Sequence, residues 1–111
     1  MKELFIKKDD YIKRIELNEI ICFTKTNNKV IAITMEGSIE INSSLYYLSE
    51  ILGKTGNFIR CHKSFIVNVN KIDKIYKYNN KTYNICFKGT NYQAFITQRN
   101  LKMLSEKFSV I

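Results

Sequence analysis

The chain has 111 residues, of which 18 are basic and 10 acidic, and a formal net charge of +8. Its 45% hydrophobic and 25% charged residues are ordinary for one globular domain and argue against a disordered chain. No apolar run approaches the roughly 18 residues of a membrane-spanning helix, and the N-terminus lacks the apolar stretch of a signal peptide. We therefore expect a cytoplasmic protein with no membrane partner.

The basic excess lies entirely in the C-terminal half of the chain. Residues 1–57 hold eight basic and eight acidic residues, whereas residues 58–111 hold ten basic and two acidic residues. A positive charge concentrated on one side favours a polyanionic partner such as nucleic acid or an anionic membrane surface.

Few residues offer catalytic or metal-binding chemistry. His62 is the only histidine, the three cysteines are widely spaced with no CxxC pair, and no glycine pattern marks a phosphate-binding loop. Enzymes usually need a base with an orienting partner, a metal cluster or such a loop. We therefore expect no enzymatic activity, no cofactor and no metal, and we expect the thiols to be reduced and half-buried.

Short β-prone runs separated by turn residues dominate the chain, and no proline or flexible linker divides it. We therefore predict a single, predominantly β domain over residues 1–111. The expected strands are at residues 4–7, 11–17, 20–24, 29–34, 38–41, 58–61, 64–69, 72–78, 82–87 and 92–96. Asn27 and Asn28 tolerate left-handed backbone and predict a tight turn between the third and fourth strands.

Apolar residues at three-to-four spacing predict two helices, at residues 45–52 and 98–108. Ser43 or Ser44 can cap the first helix, and Gly53 is placed to end it in a left-handed conformation. Thr97 is placed to cap the second helix. The first helix is expected to cover one face of a sheet.

One segment does not read as an ordinary strand. Arg60, His62, Lys63 and Ser64 lie between two apolar β-prone runs, so they should project from a strand end or a tight loop. A guanidinium fork, an imidazole, an ammonium and a hydroxyl suit phosphate oxygens and purine edges. The alternative is that these side chains only cover a solvated strand end.

The same segment carries a family resemblance. The pattern Phe58-x-Arg60-x-His62-x-Ser64-Phe65-x-Val67-Asn68, preceded by a leucine-rich helix, resembles the signature of the LytTR family of DNA-binding domains. Residues 17–21, Ile72 and residues 95–100 are similar to further family segments at matching distances. The resemblance covers essentially the whole chain, from about residue 4 to residue 108.

The resemblance implies a bacterial transcription-regulator domain, usually the output half of a two-component response regulator. The implied fold is mainly β: an elongated stack of small, mostly antiparallel β-sheets, about ten short strands in all, with one central and one C-terminal short helix. It also implies that loops at strand ends, rather than a helix-turn-helix, enter the DNA grooves and bend the DNA. The expected partners are promoter double-stranded DNA with repeated half-sites and a second copy bound alongside. A receiver domain is expected either in a longer protein or not at all.

Carried over by position, the resemblance implies three DNA-contacting loops. Their residues are Lys25, Asn28 and Lys29 in the first, Arg60, His62, Lys63 and Ser64 in the second, and Gln98, Arg99 and Asn100 in the third. Asn28 and Lys29 stand where the family often has a His-Arg or similar pair, and Asn28 can bond to adenine. Lys63 suits a minor groove or a phosphate, and Arg99 suits guanine O6 and N7. Gln98 replaces the family's usual serine.

Each loop also has a simpler interpretation, and three rival functions stay open. The Asn27-Asn28 pair could be only a turn, Lys63 a solvated charge, and Arg99 a partner of Glu106. The first rival is a β module that binds single-stranded DNA or RNA by stacking bases on three tyrosines: Tyr76, Tyr78 and Tyr83. The simpler interpretation of these tyrosines is a cross-strand aromatic cluster within the sheet. The basic half could instead bind an acidic protein, or Cys61, flanked by Arg60 and His62, could be an acidified redox thiol.

Overall fold

The computed structural model describes all residues 1–111 and contains ten strands and two α-helices. The strands are β1 (Glu3–Lys7), β2 (Ile12–Glu16), β3 (Ile20–Thr26), β4 (Lys29–Thr34), β5 (Gly37–Ile41), β6 (Phe58–His62), β7 (Phe65–Asn68), β8 (Ile72–Lys77), β9 (Thr82–Phe87) and β10 (Gln93–Thr97). The helices are α1 (Leu45–Leu52) and α2 (Gln98–Lys107). Single 3-10 turns follow β2, α1 and β7.

The strands form three small antiparallel sheets. The first holds β1 and β2, the second has the order β5-β4-β3-β7-β6, and the third has the order β10-β9-β8. The molecule measures 46 × 28 × 26 Å, so the sheets are arranged along one long axis. The predicted mainly β fold, a stack of small antiparallel sheets with one central and one C-terminal short helix, is confirmed. Neither helix has the length and apolar character that a membrane crossing requires.

Two hydrophobic cores flank the second sheet, and three neighbouring strands of that sheet, β3, β7 and β6, contribute buried residues to both. On β3, Phe23 lies in the core shared with β1, β2 and α1, whereas Cys22 lies in the core shared with the third sheet. Ile66 and Val67 on β7 divide in the same way, because successive strand residues point to opposite faces. Each such fully buried side chain contributes about 1.5–3 kcal/mol to stability, so β3 and β7 are anchored by packing on both faces.

The β3–β4 turn agrees with the prediction made from its two asparagines. The strand β3 extends two residues beyond the predicted end, to Thr26, so the connection contains only Asn27 and Asn28. Both have positive φ, 51° and 62°, which is the pattern of a two-residue hairpin turn whose twist matches that of its strands.

The end of α1 differs from the prediction. Gly53 is right-handed (φ −58°), and a 3-10 turn carries the chain on to Thr55, while Gly56 adopts the left-handed conformation (φ 78°). The hydroxyl of Thr55 donates to the carbonyl of Leu52 at 2.7 Å and stabilises the added turn. Of the two serines predicted as candidate N-caps, Ser44 caps the helix, since its Oγ accepts from the Tyr47 amide at 3.0 Å.

Candidate nucleic-acid interface

The structure brings the three predicted loops together. The Lys25 amide, just before the β3–β4 turn, donates to the carbonyl of Ser64 in the β6–β7 turn at 3.0 Å. The side-chain amide of Asn100, in the first turn of α2, donates to the carbonyl of Cys61 on β6 at 2.9 Å. The loops therefore form one continuous surface, which we call the loop edge: residues 25–29, 60–64 and 98–100.

Arg60 shapes the β6–β7 turn from within. Its Nε donates to the carbonyl of His62 at 3.0 Å, and its Nη2 donates to the carbonyl of Lys63 at 2.7 Å. A guanidinium has five N–H donors in a rigid fork, and these two bonds fix its orientation on the turn. Arg60 is half-buried, so its part in the loop edge is first to hold the backbone that carries His62 and Lys63.

His62 has a defined orientation in the same turn. Its Nδ1 accepts from the Ser64 amide at 3.1 Å, so in the neutral ring the hydrogen sits on Nε2. Burial, and then the positive charges of Lys63 and Arg60, hold the pKa of His62 below its usual value. The ring packs against Phe65 at 5.7 Å and Phe95 at 6.3 Å between centroids. His62 therefore presents a neutral N–H donor at the loop edge.

The cations of the loop edge are mostly free of acidic partners. Lys25, Lys63 and Arg99 are exposed and have no carboxylate within 4.0 Å, whereas Lys29 lies 3.7 Å from Glu40. An exposed pair such as Lys29–Glu40 contributes little. The alternative that Arg99 pairs with Glu106 is wrong. The loop edge therefore presents positive charge and, through the exposed Asn28 and Gln98, amide groups.

The start of α2 is locked onto the second sheet. Thr97 caps the helix as predicted, since its Oγ1 accepts from the Asn100 amide at 3.1 Å. The half-buried Asn100 side chain then reaches β6, as described above. Because Asn100 joins the helix start to the strand that ends at His62, Arg99 and His62 are held at a fixed separation.

The three tyrosines do not form the predicted cross-strand cluster. Cα register pairs Tyr76 with Asn84, whereas Tyr83 pairs with Lys77 and packs against the second core. Neighbouring strand residues point to opposite faces, so Tyr83 lies on the inner face of the third sheet and Tyr76 on its outer face. Tyr76 is hydrogen-bonded there to Asn84, and Tyr78 packs against Phe95 at 5.9 Å instead.

A fourth turn, between β8 and β9, lies beside the loop edge but is not among the three predicted DNA-contacting loops. The β8–β9 turn approaches α2 so closely that the Gln98 amide donates to the carbonyl of Lys81 at 2.9 Å. The letters Asn79-Asn80-Lys81 repeat those of Asn27-Asn28-Lys29 in the first loop. That repeat is the sequence signal that could have pointed to this turn. The two turns differ in conformation, because Asn79 and Asn80 lack the positive φ of Asn27 and Asn28.

Cys61 is not the acidified thiol that its neighbours suggested. It is fully buried, and its Sγ donates to the carbonyl of Phe95 at 3.2 Å. Burial, reinforced by neighbouring Cys22, raises the pKa of Cys61 to about 12, and the opposing effect of Arg60 is smaller. Burial likewise raises the pKa of Cys22 to about 12. Cys22 and Cys61 are thus buried rather than half-buried, and Cys86 is the one partly exposed thiol.

These thiols give an expected pH dependence of stability. The folded chain keeps both protons up to about pH 12, whereas the unfolded thiols ionise near 9.0. The contribution of the two thiols to the free energy of unfolding is therefore complete below pH 9.0. Above pH 9.0 it falls by roughly 1 kcal/mol for each thiol and each pH unit. Urea unfolding at about pH 8 and pH 10 should show a smaller alkaline loss in a Cys22→Ala/Cys61→Ala variant than in the original chain. Equal losses in both proteins would contradict the shifts.

The chain is similar to a family of known domains and to several bacterial regulators. The family model described as LytTr DNA-binding domain matches residues 10–109. A Staphylococcus aureus protein named as an HTH-type transcriptional regulator is 31% identical over 106 residues, covering 96% of this chain and 69% of the relative. The sensory transduction protein LytT of Bacillus cereus is 30% identical over 88 residues, covering 79% of this chain and 35% of the relative.

The transcriptional regulatory protein NatR of Bacillus subtilis is 24% identical over 98 residues, covering 88% of this chain and 42% of the relative. The chain thus spans well under half the length of LytT and NatR. Among solved structures, the LytTr DNA-binding domain of a Bacillus cereus response regulator superposes with a TM-score of 0.83 at 23% identity, covering 99% of both chains. That likeness shows a common fold.

Proposed function

Because the chain belongs to the LytTR family of DNA-binding domains, we propose that it binds double-stranded DNA sequence-specifically as the DNA-binding part of a bacterial transcription regulator. The observation that supports this proposal most is the loop edge. Three turns, linked by hydrogen bonds between their backbones and side chains, present unpaired cations and amides on one surface. Phosphates bind the cations, and base edges bind the amides and the guanidinium.

The proposed base contacts come from the first and third loops and from His62. Arg99 would donate two hydrogen bonds to guanine O6 and N7, and Asn28 would bond to adenine N6 and N7. The Nε2–H of His62 would donate to a base or phosphate oxygen. Gln98 would add an amide contact. The lysines around these groups would neutralise phosphates: Lys25, Lys29 and Lys63.

Three of the ten predicted site residues are better suited to positioning these groups. Arg60 donates to two carbonyls of the β6–β7 turn, and Asn100 donates to Cys61. The amide of Ser64 donates to His62 Nδ1, and its carbonyl accepts from Lys25. We propose that these bonds fix the loop geometry before DNA arrives, so that little ordering of the protein opposes binding.

The assembly on DNA is proposed along the same lines. The target would be promoter DNA with repeated half-sites, each taken by one copy, and the DNA would bend so that separate loops reach successive grooves. A receiver domain would lie in a longer cytoplasmic protein, as the greater lengths of LytT and NatR suggest.

The salt dependence of binding tests the proposed function directly. With a duplex selected from a random library, log affinity should fall linearly with log salt concentration, by about 0.9 for each phosphate contact. The three exposed lysines that are proposed to contact phosphates at the loop edge predict a slope of about −3: Lys25, Lys29 and Lys63. Fluorescence anisotropy measures it. A slope near zero would contradict duplex binding, and single strands that compete as well as the duplex would favour the single-strand alternative.

A further inference from the structure

The β8–β9 turn lies beside the loop edge, although none of the three family loops includes it. Its carbonyl at Lys81 accepts the Gln98 amide at 2.9 Å, directly beside Arg99. Thr82, which follows the turn, pairs in register with Thr97, the cap of α2. The turn and the third loop therefore share one border.

Hydrogen bonds from Asn79 stabilise the turn and leave two polar side chains without a partner in the chain. Asn79 Oδ1 accepts from the amides of Lys81 and Thr82, both at 2.9 Å, and the Asn79 amide donates to the Thr82 carbonyl at 3.1 Å. The side chains of Asn80 and Lys81 are exposed, and neither has a hydrogen-bond or ion-pair partner within the chain. One asparagine thus shapes the turn, while its neighbour and the lysine face solvent.

The turn is also continuous with the loop edge through aromatic contacts. The ring of Tyr78, 64% exposed, lies 5.9 Å from that of Phe95, which in turn lies 6.3 Å from His62. The sequence from residue 74 to residue 105 contains no acidic residue. A phosphate at this border would therefore meet hydrogen-bond donors, and residues 74–105 supply no carboxylate that would repel it.

We propose that Asn80 and Lys81, supported by Tyr78, form a fourth DNA contact that binds a backbone phosphate flanking the groove read by Arg99. Lys81 supplies a compact ammonium, and Asn80 and Tyr78 supply neutral donors to phosphate oxygens. Because such donors do not distinguish bases, the contact adds affinity and fixes register rather than reading sequence. This inference rests on the proposed function, and it extends the DNA contact beyond the base pairs that the protein recognises.

The test compares Lys81→Gln with Lys54→Gln, which removes an exposed lysine within the 3-10 turn after α1, away from the loop edge. On a duplex with long flanks, Lys81→Gln should bind several-fold more weakly and show a salt slope shallower by about 0.9. Lys54→Gln should match the original chain, and Lys81→Arg should keep most of the affinity. Equal slopes for the Lys81→Gln and Lys54→Gln variants would overturn the fourth contact.

Neutral methylphosphonates at the flanking positions give an independent arm. They should weaken the original chain as Lys81→Gln does, and should have little further effect on the Lys81→Gln variant. If the losses of binding free energy from the methylphosphonates and from Lys81→Gln were fully additive, a direct contact between Lys81 and that phosphate would be overturned. If the original chain shows a steep slope while Lys81→Gln behaves as the control, only the fourth contact fails. If the original chain shows no duplex preference, the proposed function fails as well.

Discussion

Replacing Arg99 by alanine is expected to weaken binding to the selected duplex by about 1–3 kcal/mol, or roughly 5- to 150-fold. Arg99 is exposed, has no acidic partner and lies in the first turn of a helix that Asn100 locks onto β6. The loss should be larger for the selected sequence than for unrelated DNA, because a bidentate guanidinium contact distinguishes guanine from the other bases.

Two further variants separate base reading from charge. Arg99→Lys should retain much of the binding to unrelated DNA but lose discrimination, because an ammonium cannot make the planar double contact. Lys102→Ala, one turn further along α2 and also exposed, provides the matched control for loss of a positive charge. An equal loss on selected and unrelated duplexes would make Arg99 a phosphate contact instead. Anisotropy titrations at one salt concentration measure all these cases.

The largest expected effect on stability is at Asn68, the last residue of the family-like motif. Asn68 is 2% exposed; its Nδ2 donates to the carbonyl of Ile20 at 2.9 Å, and its Oδ1 accepts from the Asn70 amide at 3.1 Å. Asn68→Ala leaves these buried groups without partners, at about 1–3 kcal/mol each. We expect a loss of about 2–4 kcal/mol in the free energy of unfolding, or roughly 10–25 °C in Tm.

The control for Asn68 is its exposed neighbour. Asn70→Ala keeps the backbone amide that Asn68 uses and should change Tm by only a few degrees. Circular dichroism melts of the two variants measure the difference. If both variants melted together with the original chain, water would be replacing the lost bonds, and Asn68 would not be the link between β7 and the turn after β2 that its contacts indicate.

Local patterns predicted the strands, both caps and the Asn27-Asn28 turn, because each depends on residues close together in the chain. Tyr83, Ile85 and Phe87 alternate along β9 and lie on its buried face, whereas Tyr76 lies on the opposite face of the same sheet. The tyrosine prediction went wrong because it grouped residues by type rather than by strand face. Gly53 was misassigned because a threonine hydroxyl two residues later prolongs the helix.

The candidate site was harder, because its geometry depends on contacts between distant segments. The sequence identified Arg60 and Asn100 as polar residues in the right segments, but their bonds to loop carbonyls follow only from the fold. The burial of Cys61 follows from the packing of the third sheet against the second. The relative from Staphylococcus aureus is named HTH-type, yet here five strands separate the two helices, so they form no such motif.

The packing of β3 and β7 into both cores has a consequence for how protein and DNA adapt to each other. The β3–β4 and β6–β7 turns extend directly from β3 and β7, so any shift of these turns would disturb packing on both sides of the second sheet. A protein that cannot yield leaves the adjustment of shape to the duplex. The energy of that adjustment depends on the stiffness of each base-pair step. Preferences at base pairs that no side chain touches are therefore expected within the binding site.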